Sequence, residues 1–253
     1  MKFRLIALTA IILLSTAATA ALPERDLLDG VNPGPDGMID VLAVFAHQDD
    51  ETFYAGGTLL KLKDDPRVRL RFLCLTLGDK SDAINKLGIT GERLGRIRSQ
   101  ELETAAAVYQ AEEVIQFQYL DQELARADQE RLIEEIRKVI DETGTEIVIT
   151  HDPAGISGHP DHKTCSRAAT EAFRRSAAQK LYYATLPEWI YKAIYRGETE
   201  PVYAEFRVNI RQHKKIKRLA LYSHATQRHF SYIGFLMEAV RILDYEYFAE
   251  MNR

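Results

Sequence analysis

From residue 41 onward, short apolar runs alternate with stretches whose apolar residues recur at helical spacing, and this alternation limits the chain more than any other feature. Runs at 41–46, 68–77, 114–117, 146–150 and 181–186 read as strands, and 56–62, 92–109, 127–140 and 161–178 as helices. Strands separated by helices of this length build βαβ units, whose parallel strands must be covered on both faces. The expected fold is therefore α/β, a mainly parallel sheet with helices on both faces. Past Trp189 the pattern weakens to a strand at 202–210, a helix at 212–222 and an aromatic-rich tail.

At 253 residues and 46 % hydrophobic, the chain suits one large domain, placed here at 39–253. A formal charge of −4 with no basic run gives no track for nucleic acid. The opening MKFRLIALTAIILLSTAATA has Lys2 and Arg4, then an apolar run, then small residues, the pattern of a secretory signal at 1–20. The run is too short for a bilayer, which takes about 20 residues. The expectation is export to a periplasmic or extracellular space, with cleavage after Ala20 and no membrane span left. Residues 21–38, with Pro23, Pro33 and Pro35, read as a surface arm. The two cysteines, Cys74 and Cys165, read as buried packing groups, and a bridge between them stays open.

In an open α/β sheet, sites form beyond the carboxyl ends of the strands. Two strands here end in chemistry-bearing loops. The first runs into AHQDDE, with His47, Asp49, Asp50 and Glu51, and the second into HDPAGISGHPDH, with His151, His159, Asp161 and His162. A dinucleotide site would put glycines at the first loop, and three carboxylates there would repel a pyrophosphate. Either cluster alone is explained by a helix start, where carboxylates meet the positive end of the dipole. Brought to one rim, HQDDE and HPDH supply three imidazoles and four carboxylates. A dication among them would offset the crowded negative charge.

AHQDDE resembles the AHPDDE signature, and GHPDH the second signature, of the LmbE/PIG-L family of zinc-dependent N-acetylglucosaminide deacetylases. The resemblance implies a Rossmann-like three-layer sandwich. It implies that His47, Asp50 and His162 bind Zn2+, that Asp49 is the general base, and that His159 is the general acid or oxyanion stabiliser. Asp161 becomes a partner orienting one of the histidines. Arg98, in RSQEL, would reach substrate hydroxyls, with an Arg98–Glu101 salt bridge as the alternative, and Asp121 would contact the sugar. HATQ at 224–227 matches a late family segment near the pocket. His151 reads as a hydrogen-bonded rim residue and Cys165 as a packing residue. Gln48 stands where the family has proline, which alters loop stiffness. The expected partner is a glycan or small molecule carrying an acetamido group, and the resemblance leaves a homo-oligomer open.

Three other readings compete. A two-histidine, one-carboxylate site also holds Fe(II) for oxygen chemistry, which has no use for an adjacent base and acid. A non-catalytic metal- or glycan-binding protein would gain nothing from a free Asp49. An amidase acting on a non-sugar amide would use the same machinery.

Overall fold

The apolar runs become a seven-stranded sheet, and their alternate residues feed two separate cores. A computed structural model describes residues 22–227 and 243–252; the expected secretory signal lies outside them. In chain order the main elements are β1 (Ile39–Phe45), α1 (Asp50–Leu62), β2 (Val68–Thr76), α2 (Gly91–Val108), β3 (Glu113–Tyr119), α3 (Gln129–Glu142), β4 (Ile147–His151), α4 (Pro160–Arg174), β5 (Lys180–Thr185), β6 (Phe206–Asn209), α5 (Lys214–Ser223) and β7 (Tyr245–Glu250). Short helices at Ala83–Leu87, Gly155–Gly158 and Glu188–Ile194 occupy loops.

The sheet order is β3-β2-β1-β4-β5-β7-β6. The first five strands are parallel, and β7 runs antiparallel to both β5 and β6. On β1, Val41, Ala43 and Phe45 face a core shared with Leu59, Leu102, Tyr109 and Ala220 of one helical layer. Leu42 and Val44, with Ala46 just past the strand, face the other, with Leu132, Ile136, Ala168 and Phe173. A strand buried on both sides reads as a continuous apolar run rather than an alternating one, which is how β1 and β4 announce themselves. Helix α3 instead shows one apolar stripe, Leu132, Ile133, Ile136 and Ile140, at helical spacing.

Several expectations shift. Helix α1 starts at Asp50, six residues before the glycine pair taken as its opening. Gly56 and Gly57 weaken helix propensity, but packing requires them. A Cβ on Gly56 would lie 2.5 Å from the Tyr109 hydroxyl, and one on Gly57 2.6 Å from Ile210. The arm at 22–38 is mostly exposed or half-buried but anchored at Leu27. Leu27 is buried in the first core, and the Tyr182 hydroxyl donates to its carbonyl at 3.1 Å. The aromatic tail supplies β7, the antiparallel strand that the sequence left unassigned.

Strand β7 also locks α1. The backbone N–H groups of Gly57 and Thr58 donate to Glu246 at 2.8 and 2.7 Å, and Lys217 Nζ donates to the Phe53 carbonyl at 3.0 Å. Lys217 and Glu246, both buried, pair at 2.6 Å. Cys74 and Cys165 are free and buried, and Cys165 Sγ points at the Val44 carbonyl inside the second core. Among the described residues no helix is long and apolar enough to cross a membrane.

The order in which strands are laid down, outward through β2 and β3 on one side and through β4 and β5 on the other, switches between β1 and β4, so the loops after these two parallel strands flank one crevice.

Candidate active site

The loop after β1 turns sharply at Asp49, whose φ of 107° is strained for any residue but glycine. Its surroundings over-determine that conformation. The Asp49 carbonyl accepts from Thr52 and Phe53 at 3.0 and 2.9 Å and so opens α1, while its N–H donates to Glu51 Oε2 at 3.1 Å. Arg98 Nη2 donates to the Gln48 carbonyl at 2.6 Å, and Nη1 to the Gly78 carbonyl at 3.2 Å. Gln48 Nε2 donates to the Thr76 carbonyl at 3.0 Å, tying the loop to the end of β2. The glutamine in place of proline is thus an anchoring group. The sharp turn sends the side chains of Asp49 and Asp50 in different directions.

The loop after β4 is braced by Asp152. Its carboxylate accepts from Ile156 N at 2.8 Å, Ala154 N at 3.3 Å and the Tyr191 hydroxyl at 2.6 Å. Ile156 sits at φ 55°, ψ −60°, a strained conformation for a β-branched residue. Pro160 then opens α4 at a position where its missing N–H costs nothing. His159 caps the helix, Nδ1 accepting from Asp161 N at 3.2 Å. In the neutral ring that leaves the proton on Nε2.

The two loops bring His47, Asp50 and His162 together. His162 Nδ1 lies 3.1 Å from the Gly155 carbonyl, which can only accept, so Nδ1 carries the proton and Nε2 a lone pair. His47 Nε2 faces Asp121 Oδ1 at 3.2 Å and Asp161 Oδ2 at 3.4 Å, so its proton sits there and Nδ1 holds the lone pair. These two lone-pair nitrogens stand 3.1 Å apart. Asp50 adds Oδ1 at 3.3 Å from His162 Nε2 and Oδ2 at 3.4 Å from His47 Nδ1. Two lone pairs and a carboxylate converging in a buried place repel one another unless a cation sits among them. Two imidazoles with one carboxylate fit zinc and leave a position open. His159 also comes within ligand distance of His47 and His162, and Asp50 with His151 and His162 forms a second such group.

Burial opposes charge on His47, yet the Asp121, Asp161 and Asp50 carboxylates outweigh it and hold the imidazole well above its ordinary range, so with no cation between the rings Nδ1 takes a second proton that a bound metal would displace. Burial pushes His162 well below its own, and burial together with the charge at His47 lowers His159. Burial drives the Asp49 carboxyl up to about 7; Arg98, 3.6 Å away, opposes the rise and Asp50 adds to it.

Two residues expected to contact substrate have partners within the chain. Arg98 is buried and spent on loop carbonyls; it makes no pair with Glu101, which instead accepts the N–H and hydroxyl of Thr226, both at 2.7 Å. Asp121 is buried, with one oxygen on His47 and the other accepting from Lys80 N at 3.1 Å. Asp161 orients His47, and its oxygens also accept from Gln122 N at 2.6 Å and Leu124 N at 3.1 Å. His151 is wholly buried and stacked on His162, not on a rim. Glu51 lies in the first turn of α1, as a helix-start carboxylate or hydrogen-bond acceptor beside the ligands would, and it pairs with buried His224 at 3.3 Å. A pairing between residues 51 and 224 has no local signature; only the HATQ match pointed to that segment.

The family described as PIG-L: GlcNAc-PI de-N-acetylase matches residues 42–173. A probable N-acetylglucosaminyl-phosphatidylinositol de-N-acetylase of Schizosaccharomyces pombe is 28 % identical over 69 % of this chain, which spans 64 % of that protein's length. A probable N-acetyl-alpha-D-glucosaminyl L-malate deacetylase 2 of Bacillus anthracis is 31 % identical, covering 74 % of this chain and 80 % of its own. The structure of N,N'-diacetylchitobiose deacetylase from Pyrococcus horikoshii shares the fold, with a TM-score of 0.63 at 20 % identity over 90 % of this chain and 89 % of its own. The family match spans both loops that build the site, and the chain belongs to the PIG-L (LmbE) family of de-N-acetylases.

Proposed function

We propose that the protein is a zinc-dependent hydrolase that removes the N-acetyl group from an N-acetylglucosamine-containing glycan or glycoconjugate. The observation that carries this reading is the pair of lone-pair nitrogens of His47 and His162, 3.1 Å apart beside Asp50. The family and relatives named as deacetylases of N-acetylglucosaminyl compounds support the reaction class. Zinc, which His47, Asp50 and His162 would hold, would supply Lewis-acid polarisation of the acetyl carbonyl and a water whose pKa is lowered towards ~7.

The chain's own groups do the rest. Asp49, a carboxylate with raised proton affinity beside the ligands, accepts a proton from the attacking water as its oxygen adds to the carbonyl carbon. His159, with its proton fixed on Nε2 by the helix cap, donates a hydrogen bond to the developing oxyanion. Collapse breaks the C–N bond, and the proton held by Asp49 passes to the departing nitrogen. The products are acetate and a free amine. Asp121 and Asp161 hold His47 in the tautomer that leaves Nδ1 free, as carboxylates behind ligating histidines do.

The test is acetate release from a panel of N-acetylated sugars, measured on zinc-loaded and chelator-treated protein. Release by the loaded form alone supports the reading. Stoichiometric zinc with no release from any acetamide would overturn it in favour of a binding protein, and release from non-sugar amides alone would favour an amidase. Export is part of the proposal and rests on residues 1–20. Amino-terminal sequencing of the mature protein should begin at Ala21, and a retained Met1 would refute cleavage.

A further inference from the structure

We infer that His151 is a positioning residue that fixes the orientation of Asp50, an inference that rests on the metal reading above. His151 closes β4 and is fully buried. Its Nε2 lies 3.2 Å from Asp50 Oδ2, off the line of an ideal hydrogen bond, and neither ring nitrogen has a hydrogen-bond partner among the described residues. An imidazole so desolvated carries a polar cost that an apolar ring of similar shape would avoid. The contact it does make is with the carboxylate that faces His47 and His162.

The packing explains how it acts. Phe45 and Tyr54 meet the His151 ring edge-on at 4.8 and 5.3 Å, and His162 stacks on it at 4.1 Å with the planes 8° apart. The ring is therefore held on three sides and cannot swing away. Asp50 Oδ2 is engaged by His151 Nε2 and by the His47 backbone N–H at 2.9 Å, which turns Oδ1 towards His162 Nε2, 3.3 Å away. His151 does not serve as a further ligand to the same ion. A ligating imidazole directs its lone pair within its own plane, and two near-parallel planes separated by a ring stack do not meet at one point.

The experiment compares wild type with His151→Phe, which keeps the packed ring and removes the donor, and His151→Gln, which restores an N–H near Nε2. Zinc affinity is measured by competition with a chromophoric chelator, with far-UV circular dichroism confirming the fold. The expected result is a loss of about 10–100-fold in zinc affinity for H151F, the usual size for removing a group behind a ligand, and recovery of most of it in H151Q. Folded H151F with wild-type affinity would overturn the inference alone. A wild type that takes up no zinc or cobalt would overturn the metal reading with it. A second measurement needs no variant: exchangeable imidazole N–H signals shifted by Co(II) in the proton spectrum of the wild type. Two are expected, from His47 and His162, and a third from His151 would make it a ligand and end the positioning role.

Discussion

Asp161→Asn tests how fold and site share one residue. The carboxylate is fully buried in the first turn of α4. Oδ2 accepts from Gln122 N at 2.6 Å and faces His47 Nε2 at 3.4 Å, and Oδ1 accepts from Leu124 N at 3.1 Å. An asparagine can keep only one oxygen. The less costly rotamer leaves it on Gln122 and His47 and turns the NH2 onto the Leu124 N–H, donor against donor. One buried N–H then lacks an acceptor, which costs about 1–3 kcal/mol. Losing a negative charge at the helix start adds roughly 0.3–1 kcal/mol. The expected destabilisation is about 2–3 kcal/mol, read from the shift in urea midpoint at constant m-value. The same substitution weakens the hold on the His47 tautomer, so zinc affinity by chelator competition should fall about 10–100-fold. A variant that unfolds with the wild type and binds zinc equally well would refute both roles at once.

Three further outcomes follow from the same coordinates. Asp49→Asn should lower acetate release by about 10²–10⁴-fold, the usual weight of a general base, with zinc content unchanged; loss of metal would make Asp49 a ligand. Lys217→Met strands the buried Glu246 carboxylate without its partner and should cost about 3–5 kcal/mol in urea unfolding; a loss below about 1 kcal/mol would mean that the pair is not desolvated as its burial implies. Burial would raise the Glu250 carboxyl, but hydrogen bonds from Lys180 and Arg25 outweigh it and hold it below its ordinary value of 4.5. That contribution is present above pH 4.5 and is lost as pH falls through the lower folded-state value, so Glu250→Gln should flatten the acid limb of a melting-temperature profile. An unchanged limb would show that this pair does not anchor the arm.

The sequence by itself determined the layered α/β architecture and the two loops that carry the chemistry. Strands buried on both faces must be continuously apolar, and helices lying on a sheet must be apolar on one stripe; both patterns are local and survive in one dimension. The histidines and carboxylates of HQDDE and HPDH were legible for the same reason, as clusters at strand ends. Tertiary structure alone decided which atoms meet. That Asp121 stands behind His47, that Arg98 grips the loop of Asp49, that Glu101 holds Thr226, and that His151 lies against Asp50 all depend on how segments far apart in the chain pack together. The glycine pair in α1 misled because its cause, the hydroxyl of Tyr109 and the side chain of Ile210, lies far along the chain. Strand β7 pairs antiparallel at the sheet's far side, and no local periodicity states which neighbours a strand will have. Spacing in sequence fixes which face a side chain takes; only the closed sheet fixes what waits for it there.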